Sequence, residues 1–162
     1  MITLSGFGYE EKLKNPSNVF AETWKSKSFI NGPAVKEFEK QFAQYCGTNH
    51  CVAVSSCTSA LHLSLLALGI GPGDEVITVP YTWVSTVEVI KQVGATPVFA
   101  DISLNDMCID PKEVAKKINN KTKAIIGVDL YGNVCDIDEL KKFNVPVIQD
   151  SAQSTGAFYK SK

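Results

Sequence analysis

Short apolar runs alternate with amphipathic stretches along most of this chain. Residues 1 to about 30 show no firm periodicity, and Asn15-Pro16-Ser17-Asn18 has turn chemistry, so this stretch reads as an arm with one short helix at most. Gly32-Pro33 then opens a run in which Val35, Phe38, Phe42 and Tyr45 fall at three- and four-residue steps, with Lys36, Glu37, Glu39 and Lys40 between them. That spacing predicts an amphipathic helix with a solvated charged face, ending near Gly47. Cys51-Val52-Ala53-Val54 suits a buried strand, and Ser59 to Leu68 is apolar nearly all round, as in a buried helix. Gly69 to Asp74 breaks it.

The alternation then repeats. Strands are predicted at Glu75–Val79, Thr96–Ala100, Lys123–Val128 and Val145–Gln149, and helices at Trp83–Val93, Lys112–Ile118 after Pro111, and Asp136–Phe143. Short apolar strands separated by helices predict an α/β fold, with a mainly parallel sheet covered on both faces in a three-layer αβα sandwich. In such sheets, ligands bind outside the carboxyl ends of the strands.

Composition narrows the function classes. The chain has 162 residues, 44% of them hydrophobic, with 16 basic and 17 acidic side chains. This near-neutral balance predicts no nucleic-acid partner. No apolar run approaches the roughly 20 residues of a membrane span, and the start, MITLSGFGYEEKLK, has no signal-peptide pattern. The five cysteines (Cys46, Cys51, Cys57, Cys108 and Cys135) are odd in number and lack C-x-x-C spacing. Buried or half-buried free thiols are expected, without disulfides or a metal, in a reducing cytoplasm.

Polar residues gather where the strands should end. Ser55 to Ser59 lies between a strand and a helix, where free amides and hydroxyls suit either an anion or a simple N-cap. It is not a P-loop, and Gly69-x-Gly71-x-Gly73 follows a helix, the wrong context for a dinucleotide fingerprint. Trp83 follows a strand and fits either stacking on a flat ligand or a core or interface position. Asp150 ends a strand, as a cap or as the partner of a cationic ligand atom. Asp101 and Asp129 read as caps or turn formers. His62 reads as a satisfied core histidine and His50 as a surface loop residue.

Several strings, in order and spacing, resemble one family. They are Phe29-Ile30-Asn31-Gly32-Pro33, Phe38-Glu39, Val54 through Leu63 (VSSCTSALHL), Gly71 through Ile77 (GPGDEVI), Thr82 through Thr86 (TWVST), Gly94 through Val98 (GATPV), Leu130-Tyr131-Gly132 and Asp150-Ser151-Ala152-Gln153. Over residues 28–160 the chain is similar to the DegT/DnrJ/EryC1/StrS aminotransferases, fold-type I enzymes dependent on pyridoxal 5'-phosphate. The resemblance implies an amino-terminal arm at 1–31 and, at 32–162, part of the cofactor-binding large domain. It also implies that Thr58 and Ser59 hold the cofactor phosphate, Trp83 stacks on the pyridine ring, Asp150 pairs with the ring nitrogen, and Gln153 lies near the phenolic oxygen.

Family substrates are nucleotide-linked keto-sugars, with glutamate as amino donor and a homodimeric assembly. The family's Schiff-base lysine lies beyond Lys162 by this resemblance, so no catalytic residue is assigned and the chain alone is expected to be inactive. Three other readings stay open: a non-catalytic half binding a partner chain or phosphorylated ligand, a family dehydratase, and an unrelated flavodoxin-like or nucleotide-sugar-binding domain.

Overall fold

A computed structural model of the chain describes residues 16–160. The first half of the expected arm, including Asn15, lies outside the described residues. The described chain falls into two compact units, divided between Ala53 and Val54.

The amino-terminal unit carries two helices. Helix α1, Pro16–Ser26, is longer than the short helix expected. Pro16 begins it rather than forming a turn, because the first helical position needs no N–H and favours the fixed φ of proline. Helix α2, Pro33–Cys46, follows the predicted bounds and ends at Gly47, whose φ of 65° terminates it in the left-handed region. Gly32 precedes it because any Cβ there would lie 2.2 Å from the Ser28 carbonyl oxygen. The apolar stripe of α2 forms but is little buried: Phe38 and Phe42 stack at 5.5 Å, yet Phe38 and Tyr45 are mostly exposed.

In this unit, Cys51–Ala53 does not form the expected strand, and neither does Val54 beyond it. A strand exists only where a neighbour takes its N–H and C=O groups, and no ladder partner is present among the described residues. The Ala53 N–H instead donates to Glu39 Oε1 at 2.8 Å.

The second unit is the predicted α/β layer. It contains α3 (Cys57–Ala67), β1 (Glu75–Thr78), α4 (Ser85–Gln92), β2 (Thr96–Phe99), α5 (Pro111–Ala115), β3 (Thr122–Val128), a short 3-10 turn (Leu130–Gly132), α6 (Ile137–Lys141) and β4 (Val147–Asp150). The sheet is parallel, in the order β2-β1-β3-β4. Ile77 pairs with Val98 on one side and Ile125 on the other, and Val128 pairs with Asp150.

Period-two alternation divides the core. Val76, Ala124 and Ile126 join Leu61 and Leu65 of α3 and Val89 and Ile90 of α4 in one cluster. Ile77, Val79 and Ile125 join Val114 of α5 and Leu140 of α6 in the other. The two clusters form opposite faces of a three-layer sandwich. Gly127 allows the second layer to close: a Cβ there would come within 3.1 Å of Cys135 Sγ.

Helix α3 corrects one expectation. Only Leu61 and Leu65 are buried, while Leu63, Leu66 and the following Leu68 are about half exposed. An apolar sequence marks a helix that can be covered all round, but it does not supply the cover. His62 is half-buried and its imidazole carries no hydrogen bond among the described residues, so it is not the satisfied core histidine expected. No described helix is long and apolar enough to cross a membrane.

Leu65→Ala is expected to destabilise the chain by about 2–5 kcal/mol through transfer and cavity terms. Leu63→Ala is expected to cost under about 1 kcal/mol. Urea unfolding of both variants checks this contrast.

Candidate active site

Strand order places the site. The chain passes outward from β1 to β2, then returns across β1 to β3. The loops that follow β1 and β3 therefore diverge at the carboxyl edge of the sheet, where α/β folds leave a crevice. The segments after β1, β3 and β4 and the start of α3 are linked by side-chain hydrogen bonds.

The anchor is Asp129, just after β3 and 1% exposed. Its Oδ1 accepts the Cys135 N–H at 2.9 Å. Its Oδ2 accepts from Gln149 Nε2, Ser151 Oγ and Ser154 Oγ at 2.6, 2.9 and 3.0 Å. Four donors offset the desolvation of a carboxylate that has no cation beside it among the described residues. Asp129 is therefore a turn former, as expected, and also the tie between the β3 and β4 loops. Asp101 is exposed, and among the described residues its side chain bonds only the Ile102 N–H, at 2.8 Å.

Asp150, 8% exposed, ends β4. Its Oδ1 accepts from Cys57 Sγ at 3.2 Å and from the Ala152 N–H at 3.1 Å. Its Oδ2 has no hydrogen bond among the described residues and is available to a cationic donor. Cys57 begins α3. Burial, followed by the Asp150 carboxylate as acceptor and charge, pushes its thiol up to about 11. The thiol therefore stays protonated and keeps donating to Asp150 at neutral pH.

Ser56, before α3, shows the N-cap expected as one reading of this segment. Its Oγ accepts the Ser59 N–H at 3.1 Å, and the Ser59 hydroxyl lies 3.1 and 3.0 Å from Ser55 Oγ and Ser56 Oγ. The Thr58 N–H and hydroxyl have no partner among the described residues. One amide and one hydroxyl thus remain at this helix start for an anion, beside an already engaged Ser59.

Trp83 is 76% exposed after β1, which excludes the core reading. Its loop is braced by the Thr86 N–H on the Trp83 carbonyl and by Thr82 Oγ1 against Thr86 Oγ1, both at 3.1 Å. Gln153 Oε1 accepts the Tyr131 N–H at 2.9 Å, and the Tyr131 hydroxyl meets that of Tyr81 at 2.8 Å. The Tyr81 contact raises the Tyr131 phenol above its usual range.

Sequence reasoning did not assign Cys57, Tyr81, Tyr131 or the full role of Asp129. Their partners lie 50 or more residues away for Cys57 and Tyr81, and 20 or more for Tyr131 and the β4-side donors of Asp129. Cys108, Asp129 and Cys135 also converge, with ligand atoms within 4.8 Å of one another. The Asp129 oxygens there are already occupied by four donors. The Cys108 sulfur and burial drive the Cys135 thiol far upward. Cys108 and Cys135 are the buried thiols expected, but Cys46 and Cys57 are exposed, because neither sits on a core-facing position.

A sequence model of the DegT/DnrJ/EryC1/StrS aminotransferase family matches residues 11–162. The chain is 44% identical over 138 residues to the UDP-2-acetamido-2-deoxy-3-oxo-D-glucuronate aminotransferase of Pseudomonas aeruginosa, a match covering 83% of this chain and 38% of that protein. The solved structure of S. venezuelae DesV with a ketimine intermediate superposes with a TM-score of 0.89 at 36% identity, over 96% of this chain and 43% of that one. The E. coli GDP-4-keto-6-deoxy-D-mannose-3-dehydratase with bound hydrated PLP superposes with a TM-score of 0.84 at 31% identity, over 90% and 40%. The chain spans about two fifths of the length of these relatives.

Asp150→Asn removes the charge that helps hold the Cys57 thiol protonated, so the thiol pKa should fall. Iodoacetamide labelling of Cys57 at pH 8, followed by mass spectrometry, should then be slow in the parent chain and about 5- to 10-fold faster in the variant, because the thiolate is the reacting form.

Proposed function

Because the chain belongs to the DegT/DnrJ/EryC1/StrS aminotransferase family, whose members depend on pyridoxal phosphate, we propose that it supplies the cofactor-contacting half of an enzyme that converts a nucleotide-linked keto-sugar to an amino sugar, with glutamate as amino donor. The observation that carries this reading is Asp150: a nearly buried carboxylate at the carboxyl edge of a parallel sheet, with one oxygen held by two donors and the other left open.

Asp150, Thr58 and Gln153 each offer a free donor or acceptor, and Ser59 would exchange its present bonds to Ser55 and Ser56 for the ligand. Asp150 Oδ2 would accept from the protonated ring nitrogen. The Thr58 N–H and hydroxyl, together with Ser59, would hold the phosphate at the start of α3, where the helix dipole favours negative charge. Exposed Trp83 would cover a ring face and exclude water from it. Gln153 would meet the phenolic oxygen. When bound, the cofactor supplies an electron sink conjugated to the reacting carbon. The Asp150 charge keeps that sink strong by holding the ring nitrogen protonated, and Cys57 and Ala152 keep the carboxylate aimed.

By the resemblance, the family's Schiff-base lysine matches no lysine of this sequence. Lys160 is committed to Asp138 at 2.6 Å. We assign no catalytic residue within this sequence, and place residues 1–31 as an arm and 32–162 as part of the large domain of a cytoplasmic homodimer. The likeness to a dehydratase favours a second reading, in which the same cofactor contacts serve loss of a sugar hydroxyl.

Pyridoxamine 5'-phosphate needs no lysine and tests the contacts directly. Asp150→Ala should weaken its binding about 10- to 100-fold, the loss of one charge-assisted hydrogen bond, while Asp101→Ala leaves it unchanged. Equal affinities for the two variants would overturn the ring-nitrogen assignment. Trp83→Ala should keep the circular dichroism of the parent and alter the absorption of the bound ligand; gross unfolding would count against the stacking role.

A further inference from the structure

Gln153 reaches back from the β4 loop to the β3 loop, where its Oε1 accepts the Tyr131 main-chain N–H at 2.9 Å. A main-chain N–H only donates. The side of the amide turned to Tyr131 must therefore be the carbonyl oxygen, and the opposite side must be the NH2 group. That NH2 group has no hydrogen bond among the described residues, and Gln153 is exposed.

Tyr131 holds an uncommon backbone conformation to make this contact. Its φ of 57° and ψ of 23° are left-handed, rare for a bulky residue. Two neighbouring features support it. Gly132 follows with φ 85°, so the chain continues through a second left-handed residue without a Cβ. The Tyr131 hydroxyl is tied to Tyr81 at 2.8 Å, with ring centroids 6.5 Å apart. On the Gln153 side, Ser151 and Ser154 are both fixed to Asp129. Strain of this kind is retained where surrounding contacts determine it, and it concentrates at ligand sites.

We infer that Tyr131 is a positioning residue: its left-handed N–H fixes the Gln153 amide so that Gln153 meets a bound ligand only as an N–H donor, and so only at an acceptor atom. This rests on the cofactor reading proposed above, in which that acceptor is the ionised phenolic oxygen of the pyridine ring. A carbonyl oxygen turned toward that atom would repel it, and Tyr131 excludes this rotamer.

The experiment uses the 162-residue chain and two probes, pyridoxamine 5'-phosphate and its 3-deoxy analogue, which lacks the phenolic oxygen. Without any probe, hydrogen exchange by NMR should show the Tyr131 amide protected in the parent and in Gln153→Glu, which keeps the acceptor. Protection should fall about 10-fold or more in Gln153→Leu. With probes, Gln153→Glu should weaken pyridoxamine phosphate about 10-fold or more, because its carboxylate faces the phenolic oxygen, and change the analogue by less than about 2-fold. Tyr131→Val, whose branched Cβ disfavours the left-handed region, should show the same selective loss.

Unprotected Tyr131 in the parent overturns the inference, as does equal loss on both probes or no loss on either in Gln153→Glu; in those cases the cofactor reading stands if the parent binds both. A parent chain that binds neither probe overturns the cofactor reading, and the ligand half of this inference with it.

Discussion

The buried Asp129 carboxylate accepts four hydrogen bonds, from the Cys135 amide, Gln149 in β4, and Ser151 and Ser154 beyond it. A carboxylate without a cation is costly in a low-dielectric interior unless donors fill its lone pairs. The arrangement that fills them fixes the β3 loop against the β4 loop. The Asp129 N–H also bonds the Asp150 carbonyl at 2.9 Å, carrying the ladder to the last strand residue. The position of Asp150, the reach of Gln153 to Tyr131 and the fixed path of residues 151–154 all follow from that tie.

The sheet orders the rest. Parallel strands deliver their carboxyl ends to one edge, and the β2-β1-β3-β4 order separates the loops there. Helix α3 packs on the same face as α4, and its start meets β4 through Cys57 and Asp150. Free donors at a helix start and an open carboxylate oxygen at a strand end are thereby set in one framework. The protonated thiol of Cys57 occupies one carboxylate oxygen and leaves the other open, a division of labour within a single side chain.

Local rules made much of this legible. Three- and four-residue spacing marked α2, and Gly47 marked its end. Apolar runs marked all four strands of the sheet to within about two residues, the usual fraying of element ends. The same rules failed at Cys51–Val54, because an apolar run states that a segment can be buried in a ladder and says nothing about whether a partner strand is present. They failed likewise on the outer faces of α2 and α3, where Phe38, Tyr45, Leu63 and Leu66 are exposed. Hydrophobic periodicity predicts which side of a helix seeks cover; burial depends on what packs there.

The sequence by itself determined the α/β class, the family, and the residue types offered at the strand ends, because these depend on order and spacing along the chain. The tertiary structure decided which alternative each residue took. Trp83 is exposed rather than in the core, Ser56 caps α3, and Asp150 keeps one oxygen free. It alone brought Cys57 to Asp150, Tyr81 to Tyr131 and Tyr131 to Gln153, across 93, 50 and 22 residues. Hydrogen bonds act over about 3 Å of space, and separation in sequence does not reveal which atoms the fold will bring that close.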